Sequence, residues 1–247
     1  MKTSMKLRAM ALALGLSAAS SIAMAGAYDD LIAAVYRDDT DTVLNLVDRG
    51  LDVNSVDPAG STLLHIAARD GNDKLASELL KRHANPDVRN RVGDTPLMLA
   101  AYSGKQGAAE TLIAAGAQID HDGWTPLHYA VFAEKPAMVT FLLGKGAKVN
   151  APAPNGQTAL MLSAKNGNID ITKTLLQAGA DTSLKDQAGQ TAAMLADQNN
   201  NTNVLHLIQN AKPVVQVEPK PAEAAADTAT AAPAAATAAS STAAAPK

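Results

Sequence analysis

The sequence predicts an all-α solenoid of about six helix-turn-helix units, stacked side by side and joined by hairpin-like loops. Three observations predict it. First, a short motif recurs: Gly60-Ser61-Thr62-Leu63-Leu64-His65, Gly93-Asp94-Thr95-Pro96-Leu97-Met98, Gly123-Trp124-Thr125-Pro126-Leu127-His128, Gly156-Gln157-Thr158-Ala159-Leu160-Met161 and Gly189-Gln190-Thr191-Ala192-Ala193-Met194. Its threonines stand 33, 30, 33 and 33 residues apart. Second, each copy is followed by another apolar stretch spaced by three and four, such as Val139, Leu142 and Leu143. Third, glycines punctuate both stretches, at Gly71, Gly104 and Gly167 after the first and at Gly50 and Gly146 after the second.

Each element follows from its residues. A Thr caps a helix with its hydroxyl, and Pro is preset for the first turn, so Thr-Pro opens a short helix such as 125–133. A Gly turn follows, then the second helix, which Gly146-Ala147 ends because Gly accepts the left-handed conformation found there. A loop then leads to the next unit. One such unit cannot bury its own apolar face; about three stacked units can.

A period of 33 with the Thr-Pro-Leu-His core of Gly123–Ala130 is a specific signature. From about Ala27 to Asn210 the chain resembles the ankyrin-repeat family, and within it the exported bacterial ankyrin-repeat proteins. The resemblance divides residues 26–211 into units at 27–59, 60–92, 93–122, 123–155, 156–188 and 189–211. The first lacks the Thr-Pro start and is rich in Asp29, Asp30, Asp38, Asp39 and Asp41, as a capping unit should be. The last carries Asn199, Asn200, Asn201, Asn203 and Gln209 and reads as the other cap. His83 and Glu134 stand where Gly is usual, so strain or a different helix end is expected at His83. The third unit is three residues short; its loop, 118–122, should be stubby and the groove notched there.

The ends differ from the middle. Residues 1–25 carry Lys2, Lys6 and Arg8, an apolar run over 9–19, and Ala23-Met24-Ala25: a signal peptide cleaved after Ala25. The run falls short of the roughly 20 apolar residues that span a bilayer, so no membrane insertion is expected after cleavage. The expected location is periplasmic. Residues 212–247 read as a disordered low-complexity tail, since 15 of the 26 residues in 222–247 are Ala and none is Leu, Ile, Val or aromatic. Removing residues 1–25 takes away three cations and no acid, so the net charge goes from −3 to −6. That balance argues against nucleic acid as a partner. With no Cys, stability comes from packing rather than disulfides.

In the family a ligand meets the concave face, made of the loop tips and the exposed side of each first helix. By the family's register, the exposed position seven residues after each Thr gives Tyr36, Arg69, Tyr102, Phe132, Lys165 and Gln198. The chain has seven aromatic residues, three of them on this ladder, with Trp124 beside it. Large aromatics and Arg anchor interfaces because they bury much area at small entropic cost. The expected partner-binding residues are Tyr36, Arg69, Arg91, Tyr102, His121, Trp124, Phe132, Lys145 and Lys165, the cations lending a basic rim. Tyr129 and Phe141 are read as packing residues, and Trp124 has a competing reading as a plug over the shortened loop.

Catalysis finds little support. His65 and His128 belong to the Thr-x-x-His core, which ties neighbouring loops together. His121-Asp122 offers one acid-base pair, but no third ligand or nucleophile stands near it, and there is no phosphate-cradling or dinucleotide motif. The expected protein is therefore a non-enzymatic interaction module without cofactors, monomeric because both caps are polar. It would bind a protein partner in the periplasm as accessory to an enzyme there. Two alternatives stay open: an antidote that occludes an envelope-targeted toxin, and a structural spacer of the cell envelope.

Overall fold

A computed structural model describes residues 30–35 and 37–211; the expected signal peptide, Tyr36 and the expected tail lie outside them. The described residues fall within one compact unit, Met1–Val214. They are all-helical, with an isolated bridge between Val56 and Thr62. Twelve helices pair in sequence: α1 (30–35) with α2 (Thr40–Asp48), α3 (Leu63–Asp70) with α4 (Asp73–Lys81), and α5 (Pro96–Ser103) with α6 (Gln106–Ala114). Then come α7 (Pro126–Phe132) with α8 (Pro136–Gly144), α9 (Ala159–Asn166) with α10 (Ile169–Gln177), and α11 (Ala192–Gln198) with α12 (Thr202–Gln209). First helices pack on first helices, from α3 through α11, and second helices on second helices, as α4 on α6 and α10 on α12. The core is the seam between these two layers. Leu64, Leu97, Leu127 and Leu160 occupy one column of it at 0–1% exposure, and Leu79, Leu112, Leu142 and Leu175 the other at 0%.

Every first helix from α3 to α11 starts on its threonine. Thr62, Thr95, Thr125, Thr158 and Thr191 each accept from the backbone N–H three residues on. In two units the third residue of the helix is His. The Thr62 N–H donates to His65 Nδ1 at 3.0 Å, and His65 Nε2 reaches the carbonyl of Asp94, in the next unit, at 3.0 Å. His128 repeats this, with Nε2 3.2 Å from the Gln157 carbonyl. Both rings are therefore neutral, with the proton on Nε2. Met98 and Met161 keep the local half of the arrangement through sulfur, but a thioether cannot donate onward.

Helix ends use a left-handed residue in two columns. Gly71, Gly104 and Gly167 end first helices; Gly50, Gly116, Gly146 and Gly179 follow second helices. The four non-glycine residues with positive φ among the described residues all lie on these columns: Asp38 (59°), Glu134 (53°) and Asn200 (59°) on the first, His83 (64°) on the second. His83 thus adopts the strained conformation rather than ending its helix differently.

The loops form fingers closed by repeated bonds. At 57–61, 90–94, 153–157 and 186–190, the first residue's N–H donates to the fifth residue's carbonyl at 2.8–3.0 Å. Fingers also pair across units: Arg91 N–H donates to the Ala59 carbonyl at 3.1 Å, and Gln187 N–H to the Asn155 carbonyl at 3.0 Å. The loop at 118–122, three residues short, forms no such finger, so the row splits into two pairs with a gap between them.

Two outcomes follow. Glu134 is exposed and its side chain holds no partner, so Glu134→Gly removes a left-handed penalty of roughly 1–2 kcal/mol against an entropic cost of about 0.5–1 kcal/mol. Chemical denaturation should show a net gain; a loss would mean the turn is not strained. Burial, first, holds the pKa of His65 and His128 below the usual 6.5, with the bonded carbonyls pulling it back. Because the folded value is the lower one, this stability is complete above about pH 6.5 and is lost as pH falls through the folded pKa. Melting temperatures should drop from pH 7 to 5, and His65→Gln/His128→Gln should flatten that slope.

Candidate protein-binding face

The ladder of exposed positions produces one apolar cluster. Tyr102, at the end of α5, and Phe132, at the end of α7, are 48% and 55% exposed, and their rings stack with centroids 6.5 Å apart. They sit in the last turn of helices whose opposite faces hold Leu97 and Leu127, so the helical period turns them outward. Trp124 stands edge-on to Phe132 (6.2 Å), Tyr129 (5.9 Å) and His128 (5.6 Å). Its ring is half-buried and packs on the core while one side faces solvent. Together with Tyr129 and Val92, these residues line an open hollow of about 410 Å³.

Val92 and Tyr129 were not expected there. Val92 is the tip of the second finger and the most exposed large apolar side chain among the described residues, at 80%. Tyr129 is half-buried between Tyr102 and Trp124, and its hydroxyl donates to the Asp94 carboxylate. Burial, and then the hydrogen bond to Asp94, push its phenol well above the ordinary tyrosine range. Tyr129 takes the place held by the buried residues Ile66 and Leu162 in other units. A hydroxyl in that column signals a wet rim, since a buried phenol needs a partner. Phe141, by contrast, is a packing residue of α8.

The expected cations divide. Arg69 and Lys165 end α3 and α9 at the register positions flanking Tyr102 and Phe132. Arg69 is held by Asp70 at 2.8 Å, and Lys165 is exposed. Arg91 is exposed beside Val92. Lys145 does not join them: it follows α8 in the second-helix layer, pairs with Glu110 at 3.6 Å and lies 5.4 Å from the Phe141 ring. Its place at the foot of an outer helix, not in the groove, corrects the expected basic rim.

His121 lines a second hollow, the notch left by the short loop, of about 610 Å³ with Asp87, Arg89, Asp120 and Lys148. Asp87 and Asp120 are occupied by the N–H groups of Gln118 and Lys148, at 2.9 and 3.1 Å. His121 Nε2 is buried without a hydrogen-bond partner, and burial, then the Arg89 charge, lower its pKa. Among the described residues no hydrogen bond joins His121 Nε2 to Asp122. Among the described residues no three His, Cys, Asp or Glu side chains converge on a metal position.

The profile described as "Ankyrin repeats (3 copies)" matches residues 31–122, 72–153 and 151–217, most of the chain. The chain belongs to the ankyrin-repeat family. It is 32% identical over 123 residues to a "Transient receptor potential cation channel subfamily A member 1 homolog" of Caenorhabditis elegans, covering 49% of this chain and 10% of that one. It is 36% identical over 119 residues to a "Putative ankyrin repeat protein" of Rickettsia bellii, covering 44% and 34%. To the human "Neurogenic locus notch homolog protein 1" it is 35% identical over 130 residues, covering 51% and 5%. The matched region thus spans 34% or less of each of these relatives. Ankyrin repeats are in general non-enzymatic modules of protein–protein interaction.

Within the ankyrin stack, the Tyr129–Asp94 bond spans the junction where the finger is missing. Tyr129→Phe should therefore lower stability by about 1–2 kcal/mol and leave the far-ultraviolet circular dichroism unchanged. No change in the unfolding midpoint would mean that the bond adds nothing over water.

Proposed function

We propose that this chain is a non-enzymatic protein-binding module of the periplasm, holding a protein partner on its concave face and serving a resident enzyme there as accessory. The observation that carries the reading is the exposed aromatic pair Tyr102 and Phe132 beside Val92, with Trp124 and Tyr129 forming the floor. A cluster of large apolar side chains held open to water is costly unless something covers it. A surface preformed by rigid helices loses little entropy on binding. Export is supported by the basic, apolar and small-residue pattern of residues 1–25. Among the described residues no helix is long and apolar enough to cross a membrane.

The test is affinity capture from periplasmic extract, with residues 26–247 as bait beside Tyr102→Ala/Phe132→Ala. The pair is chosen because Trp124 also packs on the core and His128, so its loss would confuse folding with binding. The wild-type bait should retain a specific protein, and the double variant should lose it with its melting temperature within a few degrees. Equal capture by both baits contradicts the reading.

A further inference from the structure

The gap in the row of fingers has its own chemistry. In the two finger pairs the bond has one register: the second residue of the later finger, Arg91 or Gln187, donates to the third residue of the earlier one, Ala59 or Asn155. The donor position in the first and third fingers, 57–61 and 153–157, is Pro58 and Pro154. Proline has no N–H to donate. Among the described residues these are the two fingers with no finger before them, so neither leaves an unused donor. The acceptor side is not silenced in the same way. Val92 holds the acceptor position of the second finger, and no group among the described residues donates to its carbonyl. Its side chain is a wall of the aromatic hollow. Ala188, the same position in the last finger, has no aromatic hollow beside it.

We propose that the bound partner supplies the missing finger: an extended segment enters the gap, donates a backbone N–H to the Val92 carbonyl and places one bulky apolar side chain in the hollow lined by Tyr102, Trp124 and Phe132. The inference rests on the concave face being the binding site and adds the kind of segment it takes. Extended chain presents free N–H groups along its length; a helix spends its own internally. The side chain is apolar because the hollow's five lining residues are aromatic or aliphatic. The adjoining notch has both Arg89 and Lys148 and the acids Asp87, Asp120 and Asp122, so the segment is selected by shape and hydrogen bonding rather than by net charge.

The probe is a linear extended peptide with Asp-Lys-Phe-Gly-Asp at its centre, titrated into ¹⁵N-labelled residues 26–247. Resonances of Val92, Gly93 and the Trp124 indole N–H should shift. Affinity should fall about tenfold or more when the peptide's Lys amide is N-methylated, and likewise when its Phe is replaced by Ala. A protein carrying three extra residues after Asp120, restoring a full-length finger, should not bind the peptide yet keep its circular dichroism. Absence of shifts, or unchanged affinity for the N-methylated peptide or for the lengthened protein, overturns the proposal. A cellular protein captured equally by the wild type and the lengthened form, but lost by Tyr102→Ala/Phe132→Ala, overturns finger supply alone. Capture by that double variant defeats the concave-face reading itself.

Discussion

The stack depends on hydrogen bonds that pass from one unit to the next. A single pair of short helices cannot bury its apolar face, so each unit is stable only where its neighbour is held in register. Buried Thr-His pairs do this at the second–third and fourth–fifth junctions, through Asp94 and Gln157. Finger pairs at Ala59–Arg91 and Asn155–Gln187 add a second tie. Between the third and fourth units both ties are missing, because Met98 replaces His and the loop is short. There the aromatic rings of Tyr102, Trp124, Tyr129 and Phe132, with the Tyr129–Asp94 and Lys148–Asp120 bonds, tie the units together. The cluster that closes this junction is also the part of it left facing water.

That double use explains why neither simple reading of Trp124 suffices. Its ring is packed on the core and on His128, yet it also lines the hollow. A plug over a shortened loop and a contact surface are the same side chain seen from two sides. The bound partner would meet a surface already fixed by packing, which is what makes the aromatic anchors effective.

The architecture was legible because its rules are local. Threonine caps, left-handed columns and the apolar spacing are set within a few residues, so the period of 33 and its one shortened copy were visible directly. His83 and Glu134 betrayed themselves by occupying glycine columns. The exposed aromatic pair was legible where register fixed it, at Tyr102 and Phe132. Val92 was missed because its importance comes from the absence of the next finger, a fact about a neighbour and not about valine. Tyr129 was missed because its column is a core column, and only the hydroxyl hinted otherwise. Lys145 was misplaced because a cation after a second helix has no pattern that says which layer it faces; its pairing with Glu110 decides that.

The most direct test of the account is amide hydrogen exchange of residues 26–247, free and bound to the captured partner. Binding at the aromatic junction predicts new protection at 90–94 and 122–132, with the second helices α4, α6 and α8 unchanged. Protection concentrated on those second helices, with 90–94 exchanging as before, would contradict it.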